Sequence, residues 1–519
     1  MLPLTPTGLL RSALAMGGDR EAVVDGALRF TYEALERAVQ QAAELLAAAG
    51  IGAGDRVAHL GRSSASHAIL LFATARLGAM YVALDPWMRP AMLNTLIEKA
   101  APKAIVLGHT LRGRPFTNDL TSSSWRLPDS LLCIDAARGA WAQAMSPAGP
   151  PVPQHALTDD SGPRTPHLIL FTSGTTGEPR GVVYDQEAFA GQALVINLGL
   201  ALSPTDRFLN VYPPGHFGSL MPVLQTVAAG ACLVQSAVPA PEKVSEAIRS
   251  ERITVLVAVP SLWRRVLEQP TSTREMLSSL RLANIASDSI STRLIEQVMD
   301  RTGALSIQGY GLTEAGLVTL LPTADARRRI GSAGLALPFA AVQIRCRDGA
   351  LAQPMEEGEV WVKTEYGMAG LWDGHRVIAP ERGQDGFFRT GDLGWLDAEH
   401  YLTIGGREED LLKISGYRIS ASAIEDVLRD HPACADAAVI GLPSEKGGQS
   451  VVAIVVPRQA HALRATELMS WVGQALQPQA VPARFAVAGE IPRTDGTGKI
   501  RRKNLIDRFL GGEFPPLAG

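Results

Sequence analysis

The 519-residue sequence predicts an α/β protein: a large N-terminal domain of α/β-layered subdomains plus a small β-barrel-like portion, followed by a smaller α+β C-terminal domain. Three observations carry this. Helical and strand periodicities alternate through residues 1–165 and again from Gln186 to Gln308, the pattern of βαβ units on parallel sheets. From Gly331 to Ile404 short strands are separated by Gly, Asp and Pro, which suits an antiparallel or barrel-like portion. Past Gly405 and Gly406 helix and strand patterns mix again to the end.

Element by element, Tyr32–Ala48 has apolar residues at helical spacing, with Thr31 as its N-cap. Arg56–Leu60 reads as a short strand, His67–Gly78 as a helix stopped by a glycine, and Met80–Leu84 as a buried strand. Leu107–Pro166 is rich in Pro, Ser and Gly and weakly periodic, so it predicts surface loop. His167–Phe171 is an apolar strand running into a glycine-rich loop. Ala247–Arg252 closes a helix, Val255–Val259 is a strand and Leu262–Leu267 is helical. Val342–Arg345, Gly358–Val362 and Tyr401–Ile404 are the short strands of the barrel-like portion.

Composition excludes several classes. Hydrophobic residues make up 46% and charged residues 19%, which supports a packed core and rules out whole-chain disorder. A net charge of −3 excludes a strongly basic nucleic-acid binder, and the Lys499, Arg501, Arg502, Lys503 cluster is short and lacks interleaved aromatics. The uncharged stretch Phe208–Pro241 is broken by Pro213, Pro214 and Pro222, so it reads as buried strands and helices rather than a membrane span. The N-terminus has no basic region ahead of an apolar core, and Cys133, Cys232, Cys346 and Cys434 lie far apart. Both point to a cytoplasmic protein with single buried, reduced thiols. Eight lysines stand against 41 arginines, so a lysine that remains is a candidate for chemistry.

Several segments have the chemistry of a nucleotide site. Thr172-Ser173-Gly174-Thr175-Thr176-Gly177 leads to Arg180 after a strand. Glycines bring backbone N–H groups close to an anion, the hydroxyls donate, and Arg180 supplies charge; the spacing is not that of a Walker loop. In Gln308-Gly309-Tyr310-Gly311-Leu312-Thr313-Glu314 an aromatic beside two glycines can stack on a base. Thr313 can bond a phosphate there, and Glu314 is a hard oxygen ligand for Mg²⁺. In Thr390-Gly391-Asp392 a tight turn presents a carboxylate that accepts from adjacent hydroxyls. Taken singly, each segment also reads as an ordinary turn.

Together, and in this order, these segments with Gly406–Ile419 and Pro492–Ile500 resemble the motifs of the adenylate-forming ligase superfamily. That superfamily includes acyl- and aryl-CoA synthetases, luciferases and nonribosomal adenylation domains. The resemblance covers essentially the whole chain and is greatest to a stand-alone AMP-dependent acid–thiol ligase. It implies a core domain over 1–405, a hinge over 406–410 with Glu409 at the pivot, and a mobile domain over 411–519. It implies ATP, Mg²⁺ and CoA, or the phosphopantetheine of an acyl or peptidyl carrier protein in place of CoA. Lys499 takes the role of catalytic lysine, with Thr313 and with Glu314 as metal ligand. Thr172, Ser173, Gly174, Thr175, Thr176, Gly177, Arg180, Gln308, Gly309, Tyr310, Asp392 and Arg407 would bind ATP. Gly416 would border the thiol channel.

The chain also departs from the family. Arg180 stands where the motif usually has lysine, which keeps the cation but broadens it. Ala286-Ser287-Asp288 replaces a glycine-rich run along the acyl channel, and His216 and Phe217 stand at the aromatic gate. The added methyl of Ala286 predicts a small or flat acid. The absence of any acid in residues 207–241 argues against an α-amino acid. A luciferase-like oxygenase or a non-catalytic binding relative stays as another class; retention of Glu314, Asp392, Arg407 and Lys499 speaks against lost catalysis. The partners expected are a small carboxylic acid and no nucleic acid, with monomer and homodimer both open.

Overall fold

A computed structural model describes residues 3–108, 130–148, 161–173, 179–236, 240–286, 290–414, 417–443, 449–458, 463–493 and 500–518. Among them, two largely parallel sheets form the N-terminal bulk. The six-stranded sheet runs Leu282–Ile285, Val255–Ala258, Arg207–Asn210, Cys232–Gln235, Glu21–Asp25, Leu28–Thr31. The eight-stranded sheet runs Val377–Ile378, Gly370–Trp372, Pro179–Asp185, Pro166–Ser173, Met80–Leu84, Arg56–Leu60, Ala104–Leu107, Leu132–Asp135. Strands inside such sheets are covered on both faces, so they read as continuous apolar runs; all five residues of Met80–Leu84 are buried. Helix Ala65–Arg76 packs on strands of both sheets and buries all twelve of its residues, Ser66, His67, Thr74 and Arg76 included, so it has no solvent-facing polar stripe. One hydrophobic core joins the two sheets through this helix, Tyr32–Ala48, Gln186–Leu200 and Phe217–Ala229.

The β-rich portion is two antiparallel sheets around one small core. Gly309–Leu312, Gly316–Leu320 and Leu335–Ala336 make the first; Ala340–Arg345, Gly358–Thr364, Phe388–Leu396 and Leu402–Arg407 make the second. A bridge between Gly334 and Leu402 ties their edges, and Tyr310, Val318, Ile344, Val360 and Val362 fill the space between. The C-terminal domain has a three-stranded sheet, Cys434–Pro443, Gln449–Pro457 and Arg484–Val487. Helices Ala421–Arg429 and Ala465–Ala475 cover one face and Arg502–Leu510 the other.

Some details differ from the sequence reading. The expected loop over 107–166 contains a strand, Leu132–Asp135, parallel to Ala104–Leu107, and a short helix, Gly139–Ala144. Only Ile134 of that edge strand is buried, so it has almost no apolar signature. The helix expected at His67 begins at Ala65, behind Ser64. Cys232 and Cys434 are buried thiols as expected, but Cys133 is exposed and Cys346 half-buried. Phe208–Pro241 resolves into the end of a strand, helix Phe217–Ala229 and strand Cys232–Gln235. No helix among the described residues is long and apolar enough to cross a membrane.

Candidate active site

The site is built around strand Pro179–Asp185. Its antiparallel partner Pro166–Ser173 sets Thr172 opposite Arg180, so both side chains share a face. Arg180 is exposed there. Gly174, Thr175, Thr176 and Gly177 lie outside the described residues, as does the side chain of Ser173. Four residues past Arg180, about 13 Å along the strand, Tyr184 is fully buried and donates its hydroxyl to the carbonyl of Thr313 at 2.8 Å. Burial, with Glu314 adding to it, holds the Tyr184 phenol well above its ordinary range, so it remains a donor.

The Thr313–Glu314 turn closes the hairpin of Gly309–Leu312 and Gly316–Leu320. The closure needs glycine: a Cβ on Gly311 would sit 2.3 Å from the Gly316 carbonyl oxygen, and Gly316 has φ of +71°. Gln192, from helix Gln186–Leu200, grips the turn from behind. Its Nε2 donates to the Ala315 carbonyl at 3.2 Å, and its Oε1 accepts from the Leu317 N–H at 3.1 Å. The Met368 N–H donates to the Glu314 carbonyl at 2.9 Å. Thr313 and Glu314 are left half-buried. Gln308 is buried; its Nε2 donates to Ser306 at 2.9 Å, and its Oε1, also buried, has no partner among the described residues.

Asp392 is 6% exposed and joins two segments far apart in sequence. Tyr310 donates its hydroxyl to Oδ2 at 2.5 Å, and Arg407, paired with Asp392 across adjacent strands, approaches Oδ1 at 3.2 Å. Each oxygen keeps a lone pair, so the carboxylate still accepts two hydroxyls. Tyr310 is raised above its ordinary range by burial and then by Asp392. Burial opposes the Arg407 charge, but Asp392, Glu409 and Asp410 outweigh it and raise the guanidinium. The Tyr310 ring also packs into the barrel-like core, so it presents less free face than the sequence suggested.

His216 and Phe217 open helix Phe217–Ala229. His216 Nδ1 accepts the Gly218 N–H at 2.9 Å, which caps the helix, and the ring stacks on Tyr212 at 5.1 Å between centroids. Phe217 lies 5.7 Å from Tyr184 and 6.3 Å from Phe189. Ala286 is half-buried at the end of strand Leu282–Ile285, and its N–H bonds the Ala258 carbonyl at 3.0 Å. Ser287, Asp288, Gly416 and Lys499 lie outside the described residues. Gly309 pairs with Leu320 in the hairpin, and Glu409 is exposed beside Arg407 at 3.3 Å.

Sequence reasoning missed Tyr184 and Gln192, which shape the Thr313–Glu314 turn. The available signal was a glutamine on the apolar face of a buried helix. It also missed a buried network behind the His216 loop, in which Asn210 Nδ2 donates to the Ser219 carbonyl at 2.9 Å and to Gln235 Oε1 at 3.1 Å. Ser63 there donates to the Tyr212 carbonyl at 2.9 Å. Of the groups expected to meet a nucleotide, the structure brings Tyr310, Asp392 and Arg407 into contact, while Thr172 with Arg180, and Thr313 with Glu314, stand on separate elements. Among the described residues no three metal-ligating side chains cluster.

The model of the AMP-binding enzyme family matches residues 10–372, and that of the AMP-binding enzyme C-terminal domain matches 423–499. An indoleacetate–CoA ligase of Aromatoleum aromaticum is 32% identical over 92% of this chain and 92% of its own length. A fatty acid–[acyl-carrier-protein] ligase of Streptomyces coeruleorubidus is 29% identical over 93% of this chain and 92% of its own. The crystal structure of ATP-bound MatB from Rhodopseudomonas palustris superposes with a TM-score of 0.83 at 25% identity, over 97% of this chain and 99% of that one.

Proposed function

The chain belongs to the AMP-binding enzyme family, as an AMP-forming acid–thiol ligase, and from that premise we propose that it couples a small or aromatic carboxylic acid to the thiol of coenzyme A. In the first step a carboxylate oxygen attacks the α-phosphorus of ATP, the bond to the β-phosphate oxygen breaks, and pyrophosphate leaves. In the second the thiol sulfur attacks the acyl carbonyl, AMP leaves, and the thiol proton is released. The first step asks mainly for positioning and charge neutralisation. Arg180 and the hydroxyls of Thr172 and Thr313 bind phosphate oxygens in this reading. Magnesium held by Glu314 would neutralise charge on the phosphates. Asp392 accepts the ribose hydroxyls with Arg407 beside it, and the segment Gln308-Gly309-Tyr310 adjoins the base in this reading. Lys499 neutralises charge on the carboxylate and α-phosphate as the bond forms.

The observation that carries the reading is the 2.5 Å hydrogen bond from Tyr310 to Asp392. It joins the segment bearing Thr313 and Glu314 to the proposed ribose carboxylate. Support for a small or flat acid comes from Ala286, from the Phe217–Tyr184 wall and from the indoleacetate ligase among the relatives. Support for a hinge over 406–410, between domains 1–405 and 411–519, comes from the exposed Glu409 and from Gly406 at φ +133°. A carrier-protein thiol as acceptor is the second reading, favoured by the acyl-carrier-protein ligase relative.

ATP–pyrophosphate exchange over aryl, short-chain, long-chain and amino acids, without thiol, tests the first step. Exchange confined to aryl or short acids is expected. Exchange with palmitate at the rate of the best small acid would overturn the substrate class, and no exchange at all would overturn the activity.

A further inference from the structure

Two adjoining cavities, of about 280 and 370 Å³, lie in a groove between the domains and share no described lining residue with this site. One wall is formed by helices Pro260–Glu268 and Thr292–Thr302, the other by the end of helix Ala421–Arg429 and by Arg458. Arg429 is matched within its own domain by Asp426 at 3.2 Å and Asp436 at 2.9 Å. Four other arginines remain, Arg264, Arg293, Arg301 and Arg458, against two carboxylates, Asp430 and Glu268. Asp430 stands 3.6 Å from Arg264 and accepts from Ser291 at 3.1 Å, while Glu268 pairs with Arg458. Among the described residues Arg293 and Arg301 reach carbonyl oxygens and no carboxylate, bonding those of Asp430 and Ser272, each at 3.1 Å. Arg264 is held below its ordinary range by burial, despite Asp430, with Arg429 adding repulsion. Among the described residues the groove therefore has a surplus of positive charge that its carboxylates do not balance.

We propose that this groove is a second anion site, distinct from the nucleotide site, that takes a small molecule bearing several linked phosphoryl groups and bridges the two domains. The cations are strung out rather than gathered: Arg293 and Arg301 are eight residues apart on one helix, about 12 Å. A single phosphate meets only one end of that row, whereas a chain of phosphates engages it along its length. Planar guanidinium forks suit phosphate oxygens, and the two cavities share Arg264 and Arg458, so the ligand has one continuous bed. Since the arginines come from both domains, occupancy would hold the domains in the arrangement seen here.

Calorimetric titration of the whole protein with inorganic tripolyphosphate tests this, alongside the variant R293Q/R301Q. Both arginines are exposed and, among the described residues, bond only to carbonyls, so the variant should melt like the parent. The parent is expected to bind one equivalent more than the variant, or to bind at least tenfold more tightly. The variant's KM for ATP in pyrophosphate exchange should stay within twofold. Equal binding by parent and variant would overturn the site. So would a parallel rise in the KM for ATP, because the arginines would then serve the nucleotide site. Inorganic phosphate binding as tightly as tripolyphosphate would overturn the multiple-phosphate requirement. A CTP arm separates the sources: competition by CTP assigns the site to nucleotides, and its failure assigns it to inorganic chains.

Discussion

Asp392 shows what a single residue does and does not reveal in sequence. A Thr-Gly-Asp turn announces a carboxylate held by a glycine, but nothing announces that Tyr310, 82 positions away, donates to it. That bond depends on two antiparallel sheets closing around one core, a tertiary event without a local signature. Asp392→Asn weakens a charged acceptor, and losing such a bond removes about 1.5–3 kcal/mol. The expected result is a rise of roughly tenfold to a hundredfold in the KM for ATP in pyrophosphate exchange. An unchanged KM would remove Asp392 from the nucleotide site. His59 illustrates a residue silent in sequence. It is fully buried in the eight-stranded sheet, neither ring nitrogen has a partner among the described residues, and burial pushes its pKa down to about 4 from the ordinary 6.5. The unfolded chain takes up a proton near 6.5 that the folded chain refuses until about 4. Stability is therefore full above 6.5, falls as pH drops, and levels off near 4. The loss is about 3 kcal/mol. His67, also lowered by burial and then by His59, acts in the same direction. Urea melts at pH 7.5 and 4.5 on the parent and on His59→Leu check this; the variant should lose less stability on acidification.

At the scale of elements, buried strands and amphipathic helices were legible because their periodicities are strong. Tyr32–Ala48 and Met80–Leu84 match their predicted bounds. Leu132–Asp135 was not, because an edge strand with one buried residue has no alternation to read. The hairpin carrying Thr313 and Glu314 was legible as a motif, but its support was not: it is held from behind by a helix that begins at Gln186, 123 residues before Gly309. Gln192→Leu removes both side-chain bonds and leaves the Leu317 N–H and the Ala315 carbonyl unpaired. Two such bonds amount to roughly 1–3 kcal/mol. The expected outcome is a fall of about tenfold in kcat for pyrophosphate exchange with a modest loss of melting temperature. Wild-type kcat together with a lowered melting temperature would make Gln192 a purely structural residue.

For the whole molecule, fold class followed from the order of periodicities, whereas the seam between the domains had no sequence signal. Ser291 and Arg264 meet Asp430 only because two separately folded units lie side by side. If the smaller unit swings between the two half-reactions, Lys499→Ala should cut acyl-AMP formation by orders of magnitude. It should leave thioester formation from supplied acyl-AMP much less affected. Equal loss in both would contradict two working arrangements. The Phe217–Tyr184–Thr313 relay has a consequence for evolvability. Phe217 leans on Tyr184, and Tyr184 holds the backbone of Thr313. If Phe217 lines the acid pocket as proposed, an acid too bulky for it would shove Phe217 and jostle the Thr313 turn through the same ring. Appetite for larger substrates and turnover are thus geared together, and a lineage or a designer widening the pocket would have to change it in pairs, one substitution to make room and another to reseat Tyr184.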